Sequence, residues 1–325
     1  MQQLDWSRVD YGVLLLLILL CLYLYFLPSL LAFQRGHRRF WPILGLNILL
    51  APVQSTLLQF LSPIPMTGLS TAEGLWLSFL YLMGPGWVAL LVWALRPVPA
   101  PDPRLTAFRG TKLADTLAAL PLVVWFVFSA VALRPHLVSD GTLIAHGAAS
   151  LLVWLRFFSL LFSILFCLLT VWTLLARETA VKRIGGALPR ICAVAGTFLG
   201  VAILRLPVPQ LGLPMQALCV LLTGLGSLGS FVALWKLGRS FSIVPEARRL
   251  VTSGPYGWAR HPLYAAEIVT VLGLSLQYQQ PWAALLGAAV IALQVARTMF
   301  EERVLAEAFP EYADYRRRVK RFGVI

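Results

Sequence analysis

The segment Ser253–Tyr264, SGPYGWARHPLY, brings Tyr256, Trp258, Arg260, His261 and Tyr264 together between two very hydrophobic stretches. Arg260 and His261 are donors suited to a carboxylate, and the three rings offer flat faces for a heterocycle or a cationic group. Further on, Arg297, Glu301 and Glu302 occur in ARTMFEERV. A helix puts Arg297 and Glu301 on one face, and the two glutamates are acceptors suited to hydroxyls or an ammonium group. Pro262 fits the first turn of a helix, which sets Arg260 and His261 at its entrance, where anions bind well. Upstream, Gly224, Gly226 and Gly229 spell G-x-G-x-x-G. A dinucleotide fingerprint needs a strand before it and a helix opening after it, whereas this one lies inside an apolar helix. Two readings stay open for these glycines: close packing of a neighbouring helix, or approach of a flat ligand to the backbone.

The elements that position these residues are membrane helices. Of the 325 residues, 59% are hydrophobic and only 13% charged, where a soluble domain carries about a quarter charged residues. Apolar runs long enough to span a bilayer cover roughly 11–33, 41–61, 75–95, 114–133, 150–176, 188–204, 215–237, 262–278 and 281–300. The fold expected is all-α and polytopic, with about nine transmembrane helices. The first run is too long for a signal peptide and lacks a small-residue cleavage site, so it reads as an anchor. Cys21, Cys167, Cys192 and Cys219 sit inside apolar runs without disulfide or metal-ligand spacing, so they read as small core residues and no metal is expected.

The net charge of +13 points to membrane orientation rather than to a nucleic-acid partner. Most of the 27 Lys and Arg residues fall on alternate loops: 34–40, 96–113, 177–190, 236–260 and the tail from 297. By the positive-inside rule the N-terminus lies outside, and the C-terminus and the Arg-His-Pro motif are cytoplasmic. RPVPAPDPR (96–104) excludes a continuous helix. The division expected is an N-terminal module (1–95), a basic linker (96–113), middle helices (114–214) and a C-terminal domain (215–325).

Two family resemblances are visible. YFLPSLLAFQRGHRRFWPILGLNILLAP and the later GPGWVALLVWAL, within residues 11–95, resemble the superinfection-immunity membrane family; that likeness implies a small membrane module and no known chemistry. LVTSGPYGWARHPLY, followed by ARTMFEERVLAEAFPEYADYRRRV, resembles the isoprenylcysteine carboxyl methyltransferase family and the related phospholipid and thiol methyltransferases. This second likeness covers about 215–325. It rests on the order of Gly-Pro-Tyr, Arg-His-Pro-x-Tyr, a hairpin, paired glutamates and a tail with aromatic and basic residues. Gly257 stands where many relatives carry a basic residue, and Ala266 where most carry glycine.

The resemblance implies S-adenosylmethionine as cofactor. Tyr256, Arg260, His261, Tyr264, Glu301 and Glu302 would hold it, with Gly224 and Gly226 where the helix is approached closely, and Arg297 would stand beside the acceptor's reacting end. A site embedded in lipid suggests a lipophilic acceptor, with a carboxylate, thiol or amine as nucleophile. His261 is also a candidate base. Arg156, within the fifth run, has two readings, a partner for a lipid headgroup or the cap of an inner cavity. The tail stripe Phe309, Tyr312 and Tyr315 favours packing onto the domain, and its basic residues also suit a membrane surface. Two other functions remain at this level: an NADPH-dependent reductase of the sterol-reductase type, which the Glu-Glu pair disfavours, and a non-enzymatic immunity or scaffold protein.

Overall fold

The computed structural model describes residue 22 and residues 25–61, 85–96, 101–184, 188–204, 206–207, 209–278 and 280–323. The chain divides into two compact units, Met1–Asp115 and Thr116–Ile325. The Pro-rich linker therefore belongs to the first unit, and the middle helices share one unit with the C-terminal domain.

In the first unit, α1 (Leu27–Gln34), α2 (Phe40–Leu61), α3 (Pro85–Leu95) and α4 (Pro103–Arg109) bury Ala32, Ile43, Leu90, Ala94 and Leu105 against one another. The turn between α1 and α2 needs Gly36 at φ +64°, a value that favours glycine. The arginines of this basic loop and of α4 lie on rings: Arg39 over Trp93 and Arg109 over Phe33. Asn47 donates to Ser29 Oγ (3.0 Å) and to the Tyr25 carbonyl (3.2 Å), which also accepts from Trp87 Nε1 (2.8 Å). The two separated pieces of the immunity-like pattern are thus joined by a polar network, through the part-buried bond of Trp87.

The second unit contains most of α5 (Lys112–Ala145), then α6 (Leu151–Ala176), β1 (Lys182–Arg183), α7 (Leu188–Phe198), α8 (Gly200–Ile203) and α9 (Leu213–Leu237). Next come β2 (Glu246–Ala247), α10 (Pro255–Trp258), α11 (Pro262–Tyr278), α12 (Pro281–Ala308) and α13 (Tyr312–Arg318). Four helices among the described residues are long and apolar enough to cross a membrane: α5, α6, α9 with its short 3-10 extension, and α12. This supports an all-α membrane protein. The expectation of nine spans is not met by that measure: α3, α7–α8 and α11 are shorter, and parts of the first and third apolar runs fall outside the described residues.

The fourth apolar run covers roughly 114–133. The helix α5 runs on through Pro121 and Pro135 to Ala145. Proline is tolerated inside membrane-type helices, where neighbouring groups satisfy the freed carbonyl. At 1.5 Å per residue the helix is about 51 Å long, well beyond a hydrocarbon core of about 30 Å. Its final turns carry Asp140, 1% exposed, which binds Arg156 of α6 through both carboxylate oxygens. Arg156 therefore has a protein partner.

The core of this unit joins Leu169 and Leu174 of α6, Ala193 of α7, Ala233 and Leu234 of α9, and Leu263 of α11. Between lipid-soluble helices small residues let backbones approach, and α9 and α11 depend on this. A Cβ on Gly273 would lie 2.9 Å from the Cys219 carbonyl, and one on Gly226 would lie 2.7 Å from the Ala266 carbonyl. Cys167, Cys192 and Cys219 are free and buried, as a core role requires; Cys21 lies outside the described residues.

The basic loops converge. β1 pairs antiparallel with β2, Glu178 N donates to the Arg239 carbonyl, and Lys182 bridges to Glu307 at 2.8 Å. Segments 177–184, 238–261 and the tail are therefore gathered at one end of the helices. Asp140 and Arg156 lie toward the other end of α6.

Candidate active site

The one-turn helix α10 begins after Gly254, whose φ of +64° favours glycine. Ala259 then turns extended and forms a parallel bridge with Lys320 of the tail. Arg260 N donates to the Lys320 carbonyl (2.9 Å) and His261 N to the Arg321 carbonyl (3.0 Å). Pro262 opens α11, so Arg260 and His261 do stand at a helix entrance. The tail contributes as much to that position as the helix does.

Both side chains meet Glu302, which is 5% exposed. Glu302 Oε1 lies 3.2 Å from Arg260 Nη2 and 3.2 Å from His261 Nε2. Arg321 closes a bidentate fork on the same carboxylate, Nε to Oε1 at 3.0 Å and Nη2 to Oε2 at 3.0 Å. This paired geometry is among the stronger charge-assisted contacts. The carboxylate that Arg260 and His261 hold here is therefore one supplied by α12, and the latch fastens the tail to the Arg-His-Pro turn.

The tail's rings complete the fastening. Tyr312 and Tyr315 are buried, and Tyr315 Oη donates to the Tyr256 carbonyl at 2.6 Å. Burial pushes the Tyr315 phenol up to about 12 and raises the phenols of Tyr312 and Tyr256 as well. Trp258 stays exposed, its ring against Gly323.

Glu301 faces another way, because successive residues on an α-helix point about 100° apart. Its neighbours are Tyr264 and Tyr256, and among the described residues no cation pairs with it. One turn back, Arg297 is 4% exposed and lies over the Tyr264 ring, 5.0 Å from its centroid. Its Nη1 donates to Gln294 Oε1 (2.7 Å) and its Nη2 to the Ile243 carbonyl (3.0 Å), while Nε has no hydrogen-bond partner among the described residues. Gln294 in turn donates to Glu267 of α11. On the far side Gly196 of α7 leaves room for the arginine: a Cβ there would come within 3.2 Å of Arg297 Cδ.

The structure thus groups Tyr256, Arg260, His261, Tyr264, Arg297, Glu301 and Glu302 around the α10–α11 turn and the C-terminal end of α12, where the basic loops of this unit gather. It places Gly224 and Gly226 elsewhere in the packing: Gly224 against Ser159 of α6 and Gly226 against Thr270 and Ala266 of α11. Helix contact accounts for both glycines. Ala266 belongs to the same contact, its methyl 3.0 Å from where a Cβ on Gly229 would stand, so the methyl points at a helix. Glu267, Gln294 and Arg321 were missed. Glu267 carried a signal, since a carboxylate within an apolar run is costly and usually functional; Gln294 and Arg321 are recognisable only from geometry.

Residues 214–312 match the phospholipid methyltransferase family, and residues 24–51 match the superinfection immunity protein family. Part of the chain is 40% identical over 107 residues to a cobalt-zinc-cadmium resistance protein of Cupriavidus metallidurans, covering 31% of this chain and 49% of that protein. It is also 37% identical over 78 residues to a nickel-cobalt-cadmium resistance protein of Alcaligenes xylosoxydans xylosoxydans, covering 24% of this chain and 37% of the relative. The chain spans half or less of the length of these curated relatives. The stretch that matches the phospholipid methyltransferase family contains every residue of the two clusters above except Arg321 and the tail beyond Tyr312.

Proposed function

We propose that this domain transfers a methyl group from S-adenosylmethionine to a lipophilic acceptor at the membrane boundary. The observation that carries the reading is the meeting of two charged clusters on α12, Glu302 with Arg260 and His261, and Arg297 with Gln294 and Glu267. Both lie within the stretch that matches the methyltransferase family.

The residues present fit such a donor. Glu301, hydrogen-bonded to Tyr264 and with no cation paired to it among the described residues, suits an ammonium group or ribose hydroxyls, and the rings of Tyr256 and Tyr264 suit a flat base or a cationic sulfur. The donor, when bound, supplies a methyl group on positively charged sulfur, itself a good leaving group. The chain then has to align the nucleophile and exclude water. Arg297 does the first: Gln294 and the Ile243 carbonyl fix its guanidinium, leaving Nε to orient the acceptor's polar end. Burial of Arg297 and Tyr264 serves the second. A carboxylate acceptor needs no base, whereas a thiol or amine must lose a proton. His261 Nε2 is bound to Glu302, so Glu267 and Glu301 are the better-placed carboxylates.

The gathering of basic loops at this end fits a cytoplasmic site by the positive-inside rule. Both relatives are named for metal resistance, so membranes from metal-exposed cells are the first source in which to seek the acceptor. Calorimetric titration of the purified full chain with S-adenosylhomocysteine and with NADPH tests the reading. Saturable binding of the first alone is expected; binding of NADPH alone would replace the methyltransferase with a reductase.

A further inference from the structure

Where the chain leaves α12, the tail borders a surface recess of about 440 Å³ lined by Arg260, Tyr312, Arg316 and Arg317, with Pro310 at its edge. Neither Arg297 nor Glu267 lines it. Tyr312 is 1% exposed, yet its hydroxyl has no hydrogen-bond partner among the described residues, and the same holds for Arg260 Nε. Buried donors in folded proteins are rarely left unpaired, and an unpaired one asks for a ligand or an ordered water.

The local charge says which ligand. The carboxylate nearest Arg260 is Glu302, already engaged by His261 and by both ends of the Arg321 fork. Arg316 Nε stands 4.0 Å from it, a looser contact, and Arg316 is more than half exposed. Asp314, itself exposed, pairs with Arg317. Cations therefore outnumber carboxylates around a concave surface, and planar guanidinium forks match phosphate oxygens. Pro310 and Tyr312 follow directly on a helix long and apolar enough to cross a membrane, which sets the recess near headgroup depth.

We infer that this recess binds a phosphate group, carried by a lipid headgroup or free in solution. The site goes beyond methyl transfer and does not depend on it.

The test titrates the detergent-solubilised full chain with dihexanoyl phosphatidic acid and, separately, with inorganic phosphate. Tyr312→Phe keeps the buried ring and removes the hydroxyl, and Arg316→Gln removes one charge. Each should weaken binding roughly tenfold, while Arg303→Gln, on α12 and outside the recess, leaves it unchanged. Resistance of the tail to trypsin verifies that each variant remains folded. Binding of the lipid but not of phosphate assigns the group to headgroups, and the reverse assigns it to free phosphate; both support the site. Saturable binding of neither, or wild-type affinity in both Tyr312→Phe and Arg316→Gln, overturns it. Displacement of the bound phosphate by S-adenosylhomocysteine would also overturn it, as a site distinct from the donor's.

Discussion

Replacing Glu302 should release the tail, and replacing Glu301 should not. Glu302 is 5% exposed and receives Arg260, His261 and the two-pronged Arg321. Truncating one partner of a buried ion pair costs about 3–5 kcal/mol, because the others are left uncompensated. Arg321 is 29% exposed and can turn to water, so the lower figure applies to Glu302→Ala, about 3 kcal/mol. At 1.36 kcal/mol per factor of ten, opening of the tail becomes roughly a hundredfold more frequent. The tail carries Arg316, Arg317, Arg318, Lys320 and Arg321, so trypsin reads that opening directly when reclosing outpaces cleavage. The expected order of cutting rates is Glu302→Ala far above Glu302→Gln, and Glu301→Ala level with wild type. Glu302→Gln retains an acceptor for Arg321, so its rate falls between. Equal rates in Glu302→Ala and wild type would refute the latch and mean that the rings of Tyr312 and Tyr315 hold the tail alone.

Arg297→Ala should lower turnover at least tenfold with little change in donor affinity, and Arg297→Lys should recover little, since lysine lacks the planar fork; kinetics and titration on one preparation decide. Gly273→Val forces a branched side chain onto the Cys219 carbonyl and should cost about 1–3 kcal/mol or more, seen as a lower melting temperature in mild detergent. Arg156→Leu should destabilise more than Asp140→Asn. Asp140 is buried at 1% and would be stranded, whereas Arg156 is half exposed and can extend to water; thermal unfolding of the two variants ranks them. Tyr315 is pushed up to about 12, against about 10 for a free phenol. The folded tail therefore keeps a proton that a detached one loses, so this stabilisation is whole below pH 10 and is lost as pH rises toward 12. Tyrosinate absorbance of wild type against Tyr315→Phe shows whether one phenol titrates late.

The helices were legible because apolar runs need no partner to be recognised, and the Arg-His-Pro turn because Pro262 fixes where α11 starts. The end of α5 was not legible. The apolar run stops near 133, because Arg134, Pro135 and His136 follow it, yet the helix carries on to Ala145. The site was legible residue by residue but not in its pairing. Glu301 and Glu302 look equivalent in sequence, and only the helical rotation between them sends one to the tail's cations and the other to Tyr264. The two readings of the glycines were likewise separable only by the neighbour: Thr270 and Ala266 lie where Gly226 lacks a side chain. Arg321 lies far along the chain in a basic run, and nothing in its sequence context distinguishes it from Arg317 or Arg318.

The central claim is methyl transfer, and it is tested by incubating the full chain, reconstituted with lipids from metal-exposed cells, with S-adenosylmethionine labelled in its methyl group. Label should enter the organic-extractable fraction, at a rate cut sharply by Arg297→Ala and by Glu301→Ala and left unchanged by Arg303→Gln. Label that stays wholly in the aqueous phase, together with no binding of S-adenosylhomocysteine, would contradict the account.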